Sequence, residues 1–323
     1  MNIRVGLVLG DAAGVGAELA ARLLDGLSQE ELGRITVIGD ARQLGAGARI
    51  AGVRLPEISL RDQANADPAA IPLGTASAAS GRAALDNFSA ALGLARDGLI
   101  DAVCFTPFNK QALKLAGNPF EDELRFAAEF LRWHGPVGEF NILGRLWNAR
   151  VTSHVPLSQV ASLLTVPRIV EAIALTDATM RQAGFATPRI AVAALNPHAG
   201  DGGAFGREEI EVIAPAVNAA RQQGIEASGP YPADTVYLKA REATFDAVVS
   251  MYHDQGQIAM KLLGFSLGVT LLGGLPVPVT TPAQGTAYDI AGRGIARPDA
   301  LGQAFALAAA LGGRTRDRCG LTA

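Results

Sequence analysis

Residues 3–27, IRVGLVLGDAAGVGAELAARLLDGL, decide the fold. Ile3–Gly10 is an apolar run of buried-strand length. Asp11-Ala12-Ala13-Gly14-Val15-Gly16 is a glycine turn, and Ala17–Leu27 has helical spacing. The same order of strand, turn and helix recurs along the chain. Further strand candidates are Ile35–Ile38, Ala102–Phe105, Ile190–Leu195, Ala247–Met251 and Val269–Leu272. Helical patterns lie between them at Ala79–Ala95, Glu121–Trp133, Pro167–Ala183 and Glu208–Gln223, with Pro167 suited to the first position of its helix. Alternation of this kind predicts an α/β protein whose largely parallel sheet is covered on both faces.

The chain has 323 residues, 49% hydrophobic and 18% charged, with a net charge of −3. At ~100–200 residues per domain, this length suits two domains or one large α/β domain. Two cysteines, Cys104 and Cys319, cannot build a disulfide framework and point to a reducing compartment. The absence of a basic run argues against a nucleic-acid partner held through phosphates. The stretch 262–288 carries no charge, yet Gly264, Gly268, Gly273, Gly274, Pro276, Pro278 and Pro282 would break a spanning helix. Buried strands and turns are expected there, in a soluble, cytoplasmic protein without a membrane partner.

In parallel sheets, ligands sit beyond the carboxyl ends of the strands. The loops that follow the strand candidates are Gly10-Asp11, Thr106–Lys110, Asn196–His198 and Tyr252–Gln255. Gly14-Val15-Gly16, with Asp40 closing the second strand, imitates a dinucleotide fingerprint, but Leu19 stands where a third glycine belongs. A tight turn or a substrate-facing loop are the other readings. Of the four histidines, His154, His198 and His253 lie in loops rich in small residues. Three imidazoles could share a divalent ion, or each could simply pack its own loop. His134, in Arg132-Trp133-His134-Gly135, reads as a helix C-terminal cap. Only four of the 28 lysines and arginines are lysine, and two of these, Lys110 and Lys261, flank candidate site loops. Unlike arginine, lysine can exchange a proton there.

Read in order, several blocks resemble the 4-hydroxythreonine-4-phosphate dehydrogenase family of vitamin B6 biosynthesis. They are GDAAGVGAE (10–18), TPFNK (106–110), SHVPL (153–157), NPHAGDGG (196–203), PADT (232–235), MYHDQG (251–256) with Lys261, and GTAYDIAG (285–292). The resemblance implies two α/β/α domains around a deep interdomain cleft, as in isocitrate and isopropylmalate dehydrogenases. It divides the chain into 1–125 plus 265–323 on the NAD side and 126–264 on the metal and dimer side. It makes His154, His198 and His253 ligands of a divalent metal, zinc first and Mg, Mn or Co as alternatives. Lys261, Asp254 and Asp234 become the catalytic group, with Asp254 supporting a metal histidine and Lys110 near the substrate. Gly285, Thr286 and Asp289 would line the adenosine half of NAD or NADP. The active site would be completed across a homodimer, and the reaction would oxidise a β-hydroxy acid and release CO₂.

The resemblance also shows departures. Glu123, Leu124 and Arg125 replace a His-Thr-Glu block, Thr270 replaces an asparagine and Val279 an arginine, and Ala283-Gln284 stands for Asp-His. An arginine–phosphate pair is worth ~1.5–3 kcal/mol, so its loss beside a new Glu123 disfavours a phosphorylated substrate. Leu124 and Val279 would suit a more apolar one, such as the cis-dihydrodiol dicarboxylate derived from terephthalate. The rivals from other classes are a catalytically inactive metabolite-binding homologue and an acyltransferase of related architecture.

Overall fold

The computed structural model describes residues 3–318, so Cys319 lies outside the described residues. Among the described residues there are eleven strands: β1 (Val5–Val8), β2 (Ile35–Gly39), β3 (Ser59–Asp62), β4 (Ala102–Phe105), β5 (Gly138–Leu143), β6 (Leu146–Arg150), β7 (Ile190–Ala193), β8 (Ala227–Tyr231), β9 (Ala247–Ser250), β10 (Val269–Gly273) and β11 (Val279–Pro282). The chain forms two compact units. The first holds Met1–His134, Val269–Leu271 and Leu275–Ala323, and the second holds Gly135–Gly268 and Leu272–Gly274.

In the first unit the strand order is β3-β2-β1-β4-β11, and every neighbouring pair is parallel. The β1 strand is buried throughout and runs between β2 and β4, as a continuous apolar run should. Helices Gly16–Asp25, Ala78–Arg96 and Asp299–Arg318 follow β1, β3 and β11. Helix Ala78–Arg96 begins at a Ser77 capping box and packs on helix Lys110–Leu115 so closely that a Cβ on Gly81 would lie 2.0 Å from the Ala112 carbonyl oxygen. Under it, Phe88 meets Phe105, Phe108 and Phe126 at ring separations of 5.2–5.7 Å. Cys104 is fully buried in β4, and burial pushes its thiol up to about 12.

In the second unit the order is β5-β6-β9-β7-β8. Here β5 and β6 form an antiparallel hairpin, whereas β6, β9, β7 and β8 are parallel. The carboxyl ends of β6, β9 and β7 therefore lie side by side. Helix Val166–Gln182 starts at Thr165, whose hydroxyl accepts from the Arg168 amide, and Pro167 is its second residue rather than its first. Either place is in the opening turn, where no donor is needed.

Two readings are corrected. The left-handed cap after helix Glu123–Phe130 is Arg132 (φ 53°), with the Trp133 amide donating to the Ala128 carbonyl, and His134 lies exposed beyond it. Asp40 is the N-cap of helix Ala41–Ala51, bonded to the Arg42 and Ala66 amides and to the Arg42 guanidinium, and is not a free acceptor for a ribose. The uncharged stretch 262–288 begins with the last residues of helix His253–Gly264 and the short 3-10 turn Phe265–Leu267 and then forms β10, β11 and turns, and no single described helix is long and apolar enough to cross a membrane.

Candidate functional site

Three histidine-bearing loops leave neighbouring strands of the second unit. The His154 and His253 rings lie 5.8 Å apart, centroid to centroid, with planes tilted by 43°. Asp254 Oδ1 lies 2.6 Å from His253 Nδ1. With Nδ1 carrying the proton into that bond, Nε2 is left as a lone-pair donor on the opposite side of the ring.

Hydrogen bonds between strand ends hold these loops together. The Thr152 amide and hydroxyl both donate to the Met251 carbonyl, at 3.1 and 2.8 Å, and so join the end of β6 to the end of β9. Gln255 joins β9 to β7: its Oε1 accepts from the Met251 amide at 2.7 Å, and its Nε2 donates to the Ala194 carbonyl at 2.7 Å. Arg150, almost wholly buried, donates to Ser153 Oγ (3.0 Å) and Asn141 Oδ1 (2.8 Å) and pairs with Glu139, bracing the segment just before His154. Helix His253–Gly264 is seated on Asn148, whose Oδ1 accepts the Tyr237 hydroxyl at 2.6 Å. A Cβ on Gly256 would lie 2.4 Å from Asn148 Nδ2, which explains the glycine in MYHDQG.

The His198 loop is built differently. His198, Ala199, Gly200, Asp201 and Gly202 all have positive φ, from 44° to 79°, and form a short left-handed turn. For the three non-glycine residues this costs on the order of 1–2 kcal/mol each. Glu209, buried at 3% exposure, offsets that cost. Its Oε1 accepts from the Leu195 and Asn196 amides at 2.9 and 2.7 Å, and its Oε2 accepts from Asn196 Nδ2 at 3.0 Å. Hydrogen bonds to a charged acceptor are worth roughly 1.5–3 kcal/mol each. The His198 ring stands beside Phe205 at 6.3 Å. Among the described residues of one chain, the nitrogens of His154, His198 and His253 do not all come within 4.8 Å of one another. Within one chain the His154 and His253 rings thus stand side by side.

Asp254 and Lys261 lie exposed at the start and end of helix His253–Gly264, and Asp234 is exposed in the first turn of helix Ala233–Arg241. The sequence placed Asn196 and Gln255 in site-side loops without a role for either, and no signal pointed to Thr152 or Glu209. Glu209 follows a glycine-rich loop, and only the fold shows that it turns back into that loop.

In the first unit, the glycine turn packs against its own surroundings. A Cβ on Gly10 or Gly16 would lie within 2.5 Å of Thr106, and one on Gly14 would lie 2.8 Å from Thr286. The glycines permit close backbone packing and are not spread open as a phosphate cradle. The Val15 amide donates to the Thr286 carbonyl at 3.0 Å, and Glu18 accepts from the Gly292 and Gly294 amides at 2.7 and 3.2 Å. Tyr288 donates to Asp11 Oδ2 at 2.6 Å. Burial holds the Asp11 carboxyl above its ordinary range, although the Tyr288 hydroxyl and the Ala13 amide both bond to it. Thr286 is buried, whereas Gly285 and Asp289 are exposed and Gly285 borders open space.

Lys110 is exposed at the start of helix Lys110–Leu115, Glu123 is half-buried at the start of helix Glu123–Phe130, and Thr270 is half-buried in β10. Leu124 and Val279 differ from expectation. They are 4% and 0% exposed, Leu124 on the inward face of its helix and Val279 paired to Val103 in β11. Neither presents a surface to a ligand, so neither makes a pocket apolar.

The family model for the pyridoxal phosphate biosynthetic protein PdxA matches residues 31–308. A Rhizobium meliloti protein provisionally named 4-hydroxythreonine-4-phosphate dehydrogenase 2 is 51% identical, over 97% of this chain and 94% of its own length. A Cupriavidus necator protein named D-threonate 4-phosphate dehydrogenase is 37% identical, over 96% of this chain and 97% of its own. The crystal structure of a Klebsiella pneumoniae 4-hydroxythreonine-4-phosphate dehydrogenase aligns with a TM-score of 0.83 at 34% identity, covering 97% of this chain and 98% of that one.

Proposed function

The chain belongs to the PdxA family and is a dehydrogenase acting on a CH–OH group, and on that premise we propose that it oxidises a β-hydroxy acid with NAD or NADP and a divalent metal, with loss of CO₂. The observation that carries this reading is the His154–His253 pair, with Asp254 bonded to Nδ1 of His253. A set of imidazoles with one ring fixed by a carboxylate fits a zinc-like ion, and Mg, Mn or Co are alternatives. When bound, the metal supplies polarisation of the substrate hydroxyl, and the nicotinamide supplies a hydride acceptor.

The chain's own side chains do the rest. Asp254 holds His253 in one tautomer and one orientation. Lys261, on the same helix, binds the substrate carboxylate or takes the hydroxyl proton, with Asp234 as its acidic counterpart. Gly285, Thr286 and Asp289 border the cofactor's adenosine half. Oxidation leaves a ketone β to the carboxylate, from which CO₂ departs. In this reading a second copy of the chain in a homodimer supplies one of the three imidazoles, as the family resemblance implies.

Glu123 favours a second reading of the substrate. A carboxylate at the start of helix Glu123–Phe130 repels a phosphate dianion, which turns preference toward an unphosphorylated acid such as a cis-dihydrodiol dicarboxylate. The test is NAD(P) reduction by metal-loaded protein with 4-hydroxythreonine 4-phosphate, D-threonate 4-phosphate and the cis-dihydrodiol. Turnover of any one, abolished by a chelator and restored by Zn²⁺ or Mn²⁺, supports the reading. Protein that takes up no Zn²⁺ or Mn²⁺, or that binds these acids without turnover when metal-loaded, refutes it. Mixing inactive His154→Ala and His198→Ala proteins should restore activity if the site is shared between copies.

A further inference from the structure

We propose that Glu209 is the positioning residue for His198, fixing the left-handed turn that presents this imidazole to the ion; the inference rests on the metal reading above. A turn in which His198, Ala199 and Asp201 adopt positive φ relaxes unless its surroundings over-determine it. Glu209 supplies that determination from inside. Its two oxygens take the Leu195 and Asn196 amides and the Asn196 side-chain amide, all in the three residues that lead into the turn.

The carboxylate also fits against the middle of the turn. A Cβ on Gly200 would lie 2.7 Å from Glu209 Oε2, so the glycine and the carboxylate occupy each other's space to the limit. Glu209 itself begins a π-helical turn, Glu209–Ile213, before helix Ala214–Gln222. Wide turns of this type re-aim a side chain within a helix and are frequent at functional sites. Here the turn aims a buried carboxylate at the loop and not along the helix surface. Glu208 adds a second contact, accepting from Asn196 Nδ2 at 2.7 Å. On the other side, Gln255 ties Ala194 to Met251, which links the base of this turn to the strand end that leads into His253.

The test is titration of the metal-stripped full chain with Co²⁺ alone, read by visible absorption and by bound metal after dialysis, with circular dichroism to report folding. Wild type should bind, and His198→Ala should lose most binding. Glu209→Gln should weaken Co²⁺ binding about 10–100-fold, the usual range for partners behind a metal ligand, and shift the visible band. Gly200→Ala keeps the carboxylate but displaces the turn. It should lose affinity in the same way and carries the test if Glu209→Gln does not fold. A lowered Tm with unchanged Co²⁺ affinity and band in either folded variant would assign Glu209 to folding alone and overturn the proposal. If His198→Ala binds Co²⁺ as well as wild type, the metal reading itself fails, which is a distinguishable result.

Discussion

Tyr288 donates its hydroxyl to Asp11 at 2.6 Å across 277 residues of sequence, and so ties GDAAGVG to GTAYDIAG. Burial already raises the Asp11 carboxyl, so the phenol offsets part of the cost of its ionised form. Tyr288→Phe should therefore destabilise the protein by about 1–3 kcal/mol near neutral pH. A carboxyl with a raised native pKa is favoured in its protonated form, so the loss should shrink as pH falls below that pKa and grow as pH rises through it. Urea denaturation at pH 4 and pH 7.5 measures the difference; a loss independent of pH would contradict it.

Asp254→Ala should lower metal affinity about 10–100-fold by freeing the His253 ring, while the fold is kept, since Asp254 is exposed and bonded to its neighbour His253. Competition against a colorimetric chelator reads the affinity. Unchanged affinity would show that the carboxylate does not orient the ring.

Removing the charge of Glu123 should improve the use of phosphorylated acids. For Glu123→Gln the expected gain in kcat/KM with 4-hydroxythreonine 4-phosphate is about two- to tenfold, the range for one screened like-charge contact near a surface. The gain should fade at high salt. No gain, or an equal gain with an unphosphorylated acid, would remove Glu123 from substrate selection.

The Arg42 guanidinium, with the Ala66 and Arg42 amides, holds the buried Asp40 carboxyl down to about 2. A depressed native pKa contributes stability above the unfolded value and loses it as pH falls through the native one. Arg42 is half exposed, so the contribution is about 1–2 kcal/mol. Asp40→Asn, which keeps an N-cap, should lose about that much at pH 7 and much less at pH 2. Thermal unfolding at the two pH values checks this.

Strands β1, β2, β4, β7, β9 and β10 were legible because each is an apolar run that becomes buried. Strand β3 is mostly exposed, and β5, β6 and β8 mix polar residues or a Gly-Pro pair into their runs, so no periodicity marks them. At the site, residue types in the loops announced the histidines and Asp254. What escaped was direction. Leu124 and Val279 have the chemistry of a pocket wall, but the helix face and strand side that carry them turn inward. Glu209 and Gln255 act through backbone groups 13 to 61 residues away, which no local pattern encodes.

Strand β11 completes the first unit by pairing with β4, and the Thr281 hydroxyl reaches the Phe105 carbonyl across 176 residues. A ribosome working at 5–20 residues per second delivers those residues roughly 10–35 s after β4 has emerged. Throughout that interval the nascent chain carries an unpaired apolar strand edge, open to other chains. Formation of the native first unit therefore requires that this edge stay protected until β11 arrives.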